Sequence, residues 1–226
     1  MARYIIVDLE STGLHRTEDR IVSVAAIDLH LDEEFYEEVN PLRPVSKGAA
    51  KVHGLTDAAL ACKPVWSVVG PRFWRWLLLR QRLGGALCLV GHNAKAFDVP
   101  MLAAELARLQ ALPPALGPIY IVDTLPICRE VFPKSILASK TQASVYEHLF
   151  QSEPDGQHNA LGDVRALARI AREPVIRRRL EIPELAFKFE LGAPGGVAWP
   201  ASLVWPGATP RAPQQPLPSL PVTTRA

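Results

Sequence analysis

Three strand-like apolar runs stand at the front of the chain with no long helical period between them: Tyr4 to Leu9, Arg20 to Leu29 and Glu34 to Asn40, the first followed by a turn at Gly13. This order constrains the fold more than any other feature, because consecutive strands joined by short connections pair as neighbours. An antiparallel meander is expected. Beyond it, Trp66 to Arg82 has helical spacing, Ala86 to Val90 is a short buried strand, Val99 to Gln110 a helix and Ile119 to Val122 a strand. Helices over about Thr141 to Phe150 and Asn159 to Arg172 close the pattern. Strands first, then helices and strands in alternation, predict an α/β fold built on a mixed five-stranded sheet flanked by helices.

The periodicity stops near residue 190, which divides the chain into a domain over 1–190 and a Pro-rich, largely irregular C-terminal tail over 191–226. Eight prolines fall between Gly192 and Ala226. Leu191 to Pro210 carries no charge for twenty residues, the length of a membrane span, but four prolines and four glycines interrupt it. Each interior proline costs a helix about 3 kcal/mol, so no membrane anchor is expected. Trp199, Leu203 and Trp205 are expected to pack on the domain or on a protein partner, with a polyproline-like remainder.

With 48% hydrophobic and 21% charged residues, the 226-residue chain is neither disordered, collagen-like nor a polytopic membrane protein. Cys62, Cys88 and Cys128 are too few and too scattered for a disulfide framework or a zinc cluster. The first ten residues lack the apolar core and cleavage site of a secretory signal. A reducing compartment, cytoplasmic and/or nuclear, is expected. A net charge of +2 neither announces nor excludes a nucleic-acid partner.

Asp8 and Glu10 end an otherwise apolar strand. Two positions apart, they share one face, their Cα atoms about 6 to 7 Å apart, close enough to share a cation. Burial and mutual repulsion oppose such a pair unless something compensates it. The alternative is that the strand has already ended and both acids are solvated. Asp98 follows Gly91-His92-Asn93-Ala94-Lys95-Ala96-Phe97 at a strand-to-helix junction, where open α/β sheets bind ligands. Equally, Asp98 reads as an N-cap with Pro100 behind it. In His158-Asn159-Ala160-Leu161-Gly162-Asp163, five positions at about 100° each set the two ends about 140° apart on a helix. They can serve one site only if His158 precedes the helix, with Asn159 as its cap; a solvated loop histidine is the plain alternative.

Taken together, Asp8-Leu9-Glu10-Ser11-Thr12-Gly13, His92-Asn93 through Phe97-Asp98, and His158 with Asp163 resemble the three motifs of the DEDDh (DnaQ-like) 3′–5′ exonuclease family, whose fold is ribonuclease H-like. Val52-His53-Gly54-Leu55-Thr56 and Val122-Asp123-Thr124-Leu125 resemble two further family segments. The likeness covers roughly residues 3 to 172. Within the family, the stretch from Leu89 to Arg172 is most similar to the animal three-prime repair exonucleases and to the exonuclease-like C-terminal region of the promyelocytic leukaemia protein.

The resemblance implies hydrolysis of phosphodiester bonds in DNA, single-stranded or at 3′ ends, with release of nucleoside 5′-monophosphates and two Mg²⁺ or Mn²⁺ ions as cofactors. Asp8 would bridge both ions, Glu10 and Asp163 would hold the ion on the nucleophile side, Asp98 the other, and His158 would be the general base. Candidate substrate contacts are Thr12, Leu14, Leu55, Asn93 and Phe97. Lys95, Arg129, Lys134 and Lys140 would attend the nucleic-acid backbone, and Arg177-Arg178-Arg179 could help. His53 is expected to orient its own segment, and Asp123 to cap or support. The resemblance also implies a homodimer through a sheet edge, for which Glu34 to Asn40 is the candidate. An RNA-directed exonuclease and a catalytically retired domain that binds nucleic acid or protein are the rival functions.

Overall fold

A computed structural model describes residues 2–109, 119–182 and 186–189. The proposed contacts of Trp199, Leu203 and Trp205, and the tail as a whole, lie outside the described residues.

The expected meander forms from β1 (Arg3–Ser11), β2 (Ile21–Asp28) and β3 (Glu34–Glu38). Both pairings are antiparallel, with Asp8 opposite Ala25 and Glu10 opposite Ser23. β4 (Leu87–Gly91) then pairs parallel with β1, and β5 (Ile119–Asp123) parallel with β4, so the sheet is mixed as expected. A sixth strand extends the expected five: β6 (Ala186–Phe189) pairs antiparallel with β5. The strand order is β3-β2-β1-β4-β5-β6.

Helices fill the connections. α1 (Lys47–His53) and α2 (Asp57–Leu60) follow the meander, each opened by a hydroxyl cap, Ser46 and Thr56. α3 (Trp66–Arg82) precedes β4, and α4 (Asp98–Ala107) follows it. After β5 come α5 (Thr124–Val131), α6 (Gln142–Phe150), α7 (Ala160–Arg172) and α8 (Pro174–Leu180). α8 starts with Pro174 at its first helical position, where the missing N–H costs nothing.

The pleat splits β1 between two cores. Ile5, Val7 and Leu9 face α3 and α4, in a core with Phe73, Trp74, Leu77, Met101 and Leu102. Tyr4 and Ile6 face α5 to α8, packed with Ile127, Tyr146, Val164, Leu167 and Ile176. The predicted apolar line of α7, Ala160, Val164, Leu167 and Ala171, is fully buried on that second face. By alternation Asp8 and Glu10 continue the Tyr4–Ile6 side, so acids replace apolar residues where the strand leaves the core.

β1 outruns β4. Their pairing ends at Ile6–Val90, and the acids lie beyond it, at the carboxyl ends of the parallel strands. Gly91 allows this close approach, because a Cβ there would sit 2.7 Å from the Ala94 Cβ and 3.2 Å from the Val7 carbonyl oxygen. α4 is anchored at the same end of the sheet: Glu105, fully buried, accepts from Arg20 Nε at 2.6 Å and Nη2 at 3.1 Å.

Candidate active site

Carboxylates from three elements converge past the end of β4. Asp8 and Glu10 from β1 and Asp163 from the first turn of α7 each offer an oxygen within 4.8 Å of the other two. All three are half-buried. Asp98 lies outside that trio but acts electrostatically on both Asp8 and Glu10.

The position of Asp98 corrects one expectation. It is the first residue of α4 and not its cap; Phe97 precedes the helix with no side-chain cap bond, and Pro100 falls at the third helical position. The Asp98 carboxylate instead accepts from its own amide and from that of Leu9, a β1 donor beyond the reach of β4. It is buried, at 8% exposure.

Asp163 is tied to the loop before its helix. Its carboxylate accepts from the main-chain amide of His158. His158 precedes α7, as convergence requires, in a left-handed conformation (φ 60°) with its side chain exposed, and Asn159 caps the helix through bonds from Leu161 N (3.0 Å) and Gly162 N (3.4 Å). Gly162 lets the loop lie against the helix, since a Cβ there would overlap the Gly156 carbonyl oxygen.

Burial, first, and then mutual repulsion hold these acids in the protonated direction. Asp8 is raised well above the usual carboxylate range by burial and by Asp98, Asp163 and Glu10. Burial, Asp163 and Asp98 push Glu10 up to about 8. Asp98 rises to about 7 through burial, opposed by its two amide donors. Burial also raises Asp163, opposed by His158. The charges acting on Asp8 and Glu10 are all carboxylates. A set of hard oxygen ligands, crowded and repelling one another, fits a divalent cation of the Mg²⁺ or Mn²⁺ kind.

The surrounding residues divide into supports and exposed candidates. Asp123 caps α5 through Leu125 N (2.9 Å) and also accepts from Asn93 N (2.9 Å) and Lys95 N (3.0 Å), fixing the loop that leads to Asp98. His53 bridges the Ser11 carbonyl through Nε2 (3.1 Å) and Leu55 N through Nδ1 (3.1 Å), which ties the Gly54-Leu55 segment to the end of β1. Leu14 is 82% exposed, Leu55 half-buried, and Asn93 exposed at φ 64°. Phe97 packs partly on the core beneath α3 and α4.

Two expectations are corrected. The Thr12 hydroxyl turns inward: it donates to Asp19 Oδ1 (2.7 Å), accepts from Arg20 N (3.1 Å) and is 1% exposed, so it fixes the turn after β1 instead of facing a substrate. Arg177 and Arg179 serve the scaffold at the far end of β1. Arg177 lies over the Tyr4 ring and pairs with Glu181, and Arg179 pairs with Glu130. Tyr4 is four residues before Asp8, about 13 Å along the strand.

A mixed sheet whose carboxyl end gathers acids from β1, α4 and α7 defines a protein with a candidate divalent-cation site. Residues 5–171 match the model of the exonuclease family RNase_T. Exonuclease DPD1 of Arabidopsis thaliana, chloroplastic/mitochondrial, is 32% identical over 194 residues, covering 81% of this chain and 60% of that protein. This chain therefore spans about three fifths of the plant protein. Three prime repair exonuclease 2 of Homo sapiens is 29% identical over 195 residues, covering 74% of this chain and 81% of the human protein. Two solved structures share the fold. An exonuclease I structure superposes with a TM-score of 0.66 at 20% identity, over 80% of this chain and 42% of that one. An exonuclease X structure gives 0.55 at 24% identity, over 80% of this chain and 96% of that one. The chain belongs to the exonuclease family.

Proposed function

We propose that the chain shortens DNA from 3′ ends and releases nucleoside 5′-monophosphates, using two Mg²⁺ or Mn²⁺ ions held by Asp8, Glu10, Asp98 and Asp163. The observation that carries this is the carboxylate trio, each acid offering an oxygen within 4.8 Å of the other two, with Asp8 raised by burial and by its acidic neighbours. The name of its relative, three prime repair exonuclease 2, supports the choice of end, and that of a bacterial relative, DNA polymerase III subunit epsilon, supports DNA.

Asp8, Glu10 and Asp163 would hold one ion, and Asp98, at the start of α4, would take part in holding the second. Bound there, the pair would supply a lowered pKa for the attacking water and stabilisation of charge on the departing 3′ oxygen. An imidazole nitrogen of His158 takes the proton from that water; its exposed loop gives the ring freedom to approach and withdraw. Leu14, just past the Gly13 turn, and Leu55, in the segment that His53 fastens to β1, contact the terminal base, and Asn93 reaches the phosphate or the 3′ hydroxyl. Phe97 supports that contact from its partly buried position.

5′-labelled single-stranded DNA and RNA, each incubated with Mg²⁺ or EDTA, test this. Metal-dependent shortening of DNA from the 3′ end is expected. Shortening of RNA alone makes the enzyme RNA-directed, and intact oligonucleotide with a mobility shift makes it a retired binding domain. A second copy pairing along the β3 edge belongs to the same proposal, and sedimentation as a single species near 24.8 kDa rejects it.

A further inference from the structure

One connection around the acids has no part in the chemistry above. His92 opens the loop that runs from β4 to Asp98. Its Nε2–H donates to the Lys140 carbonyl at 2.7 Å, and its Nδ1 lies in hydrogen-bond contact with Thr124 Oγ1 at 2.9 Å. Two residues after Lys140, Gln142 donates from Nε2 to the main-chain carbonyl of Asp163 at 2.8 Å. Thr141, between them, caps α6 in an extended conformation (φ −62°, ψ 153°) and accepts from Ser144 N. The short bridge is therefore pinned at both ends and at its middle.

We propose that Gln142 is a positioning residue for Asp163, and that the connection His92–Lys140–Gln142–Asp163 sets the spacing between the Asp98 loop and the Asp163 helix so that their carboxylates face the same pair of cations. This rests on the metal reading above. Whenever the acids ionise, their mutual repulsion opposes the approach of the first turn of α7 to β1, and a bond from outside the acids can resist it. A carbonyl oxygen has a second lone pair beyond its helical bond, and Gln142 uses that of Asp163. Helix stability alone gives no reason for an amide here, because Met has a helix propensity close to that of Gln. From the other side, Asp123 holds the same loop through Asn93 and Lys95, so both flanks of the site are braced.

The test uses Gln142→Met, which keeps length and helix propensity and removes the donor. Full-length wild type, Gln142→Met and Asp163→Asn are titrated with Mn²⁺, free ion being followed by electron paramagnetic resonance, with melting recorded in EDTA. Wild type is expected to bind, Asp163→Asn to lose a site, and Gln142→Met to bind about tenfold more weakly at a nearly unchanged metal-free Tm. Saturating Mn²⁺ should return its exonuclease rate toward wild type, with KM for the oligonucleotide unmoved. Wild-type Mn²⁺ affinity in Gln142→Met, with Asp163→Asn impaired, overturns the positioning role and leaves the metal site standing. Wild-type affinity in Asp163→Asn overturns the metal reading itself. A metal-free Tm of Gln142→Met lowered by more than about 10 °C makes Gln142 a structural residue and also overturns the inference.

Discussion

The main-chain amide of His158 donates to the carboxylate of Asp163, five residues further on. The loop that carries the imidazole and the helix that carries the acid are thereby fixed to each other through backbone, while the imidazole itself stays free.

That separation of duties makes the two side chains distinguishable. Asp163→Asn should abolish turnover and leave the fold intact, since the acid is half-buried and repelled by its neighbours. His158→Ala should lower the rate by about 10² or more while Mn²⁺ binding persists. Steady-state rates beside circular dichroism melts check both. Loss of the folded state in Asp163→Asn, or a near-normal rate in His158→Ala, contradicts the assigned roles.

Without metal, the site should make the protein less stable as pH rises. The folded pKa of Glu10 is about 8 against an ordinary 4.5, and Asp98 rises to about 7 from 3.8. Between the ordinary and raised values the folded state binds more protons than the unfolded one, so unfolding free energy falls with increasing pH. Melting in EDTA should drop by roughly 5 °C or more from pH 5 to pH 8 beyond any change in a Glu10→Gln/Asp98→Asn control. Added Mn²⁺ should raise Tm more at pH 8 than at pH 5. A Tm in EDTA flat across this range removes the electrostatic account.

Asp123→Ala deletes one carboxylate that accepts from three amides, those of Asn93, Lys95 and Leu125. A lost cap costs about 1 kcal/mol and each stranded amide adds to it, so a loss of roughly 2 to 3 kcal/mol is expected by urea denaturation. Activity should fall as well, because the Asp98 loop loses its inner support. An unchanged urea midpoint rejects this.

Gly162→Ala drives a methyl group into the Gly156 carbonyl oxygen. Backbone, unlike a side chain, cannot swing aside, and a cost of about 1 to 3 kcal/mol is expected. The displaced loop carries His158, so kcat should fall further than stability alone predicts. A variant with wild-type kcat and Tm means that the loop yields freely.

The elements that the sequence makes legible are those with long, regular patterns. β1, β2, α3, β4 and α7 could be read because each buries most of a strand or an unbroken apolar line, as Ala160, Val164, Leu167 and Ala171 do. α1, α2 and α8 are only four to seven residues long, too short for a period to emerge, and their signals are single caps such as Ser46, Thr56 and Pro174. α5 hides behind Pro126, which its first turn tolerates. β6 offers only the alternation Phe187-Lys188-Phe189 close to the expected domain boundary. At the site, the acids stood out because carboxylates interrupt apolar patterns. Thr12 misled because a hydroxyl beside a motif reads the same whether it faces in or out. Gln142 gave no sign at all, since one amide at a helix start is unremarkable until its partner, twenty-one residues away, is known.

Asp98 arrives from the helical layer on one side of the sheet, Asp163 from the layer on the other, and β1 runs between them with Asp8 and Glu10. A pair of ions held between them would work as a clasp across the whole thickness of the domain. Any slippage of one layer against the other opens that clasp before it unfolds either layer, so the enzyme should fall silent on warming while its secondary structure is still intact.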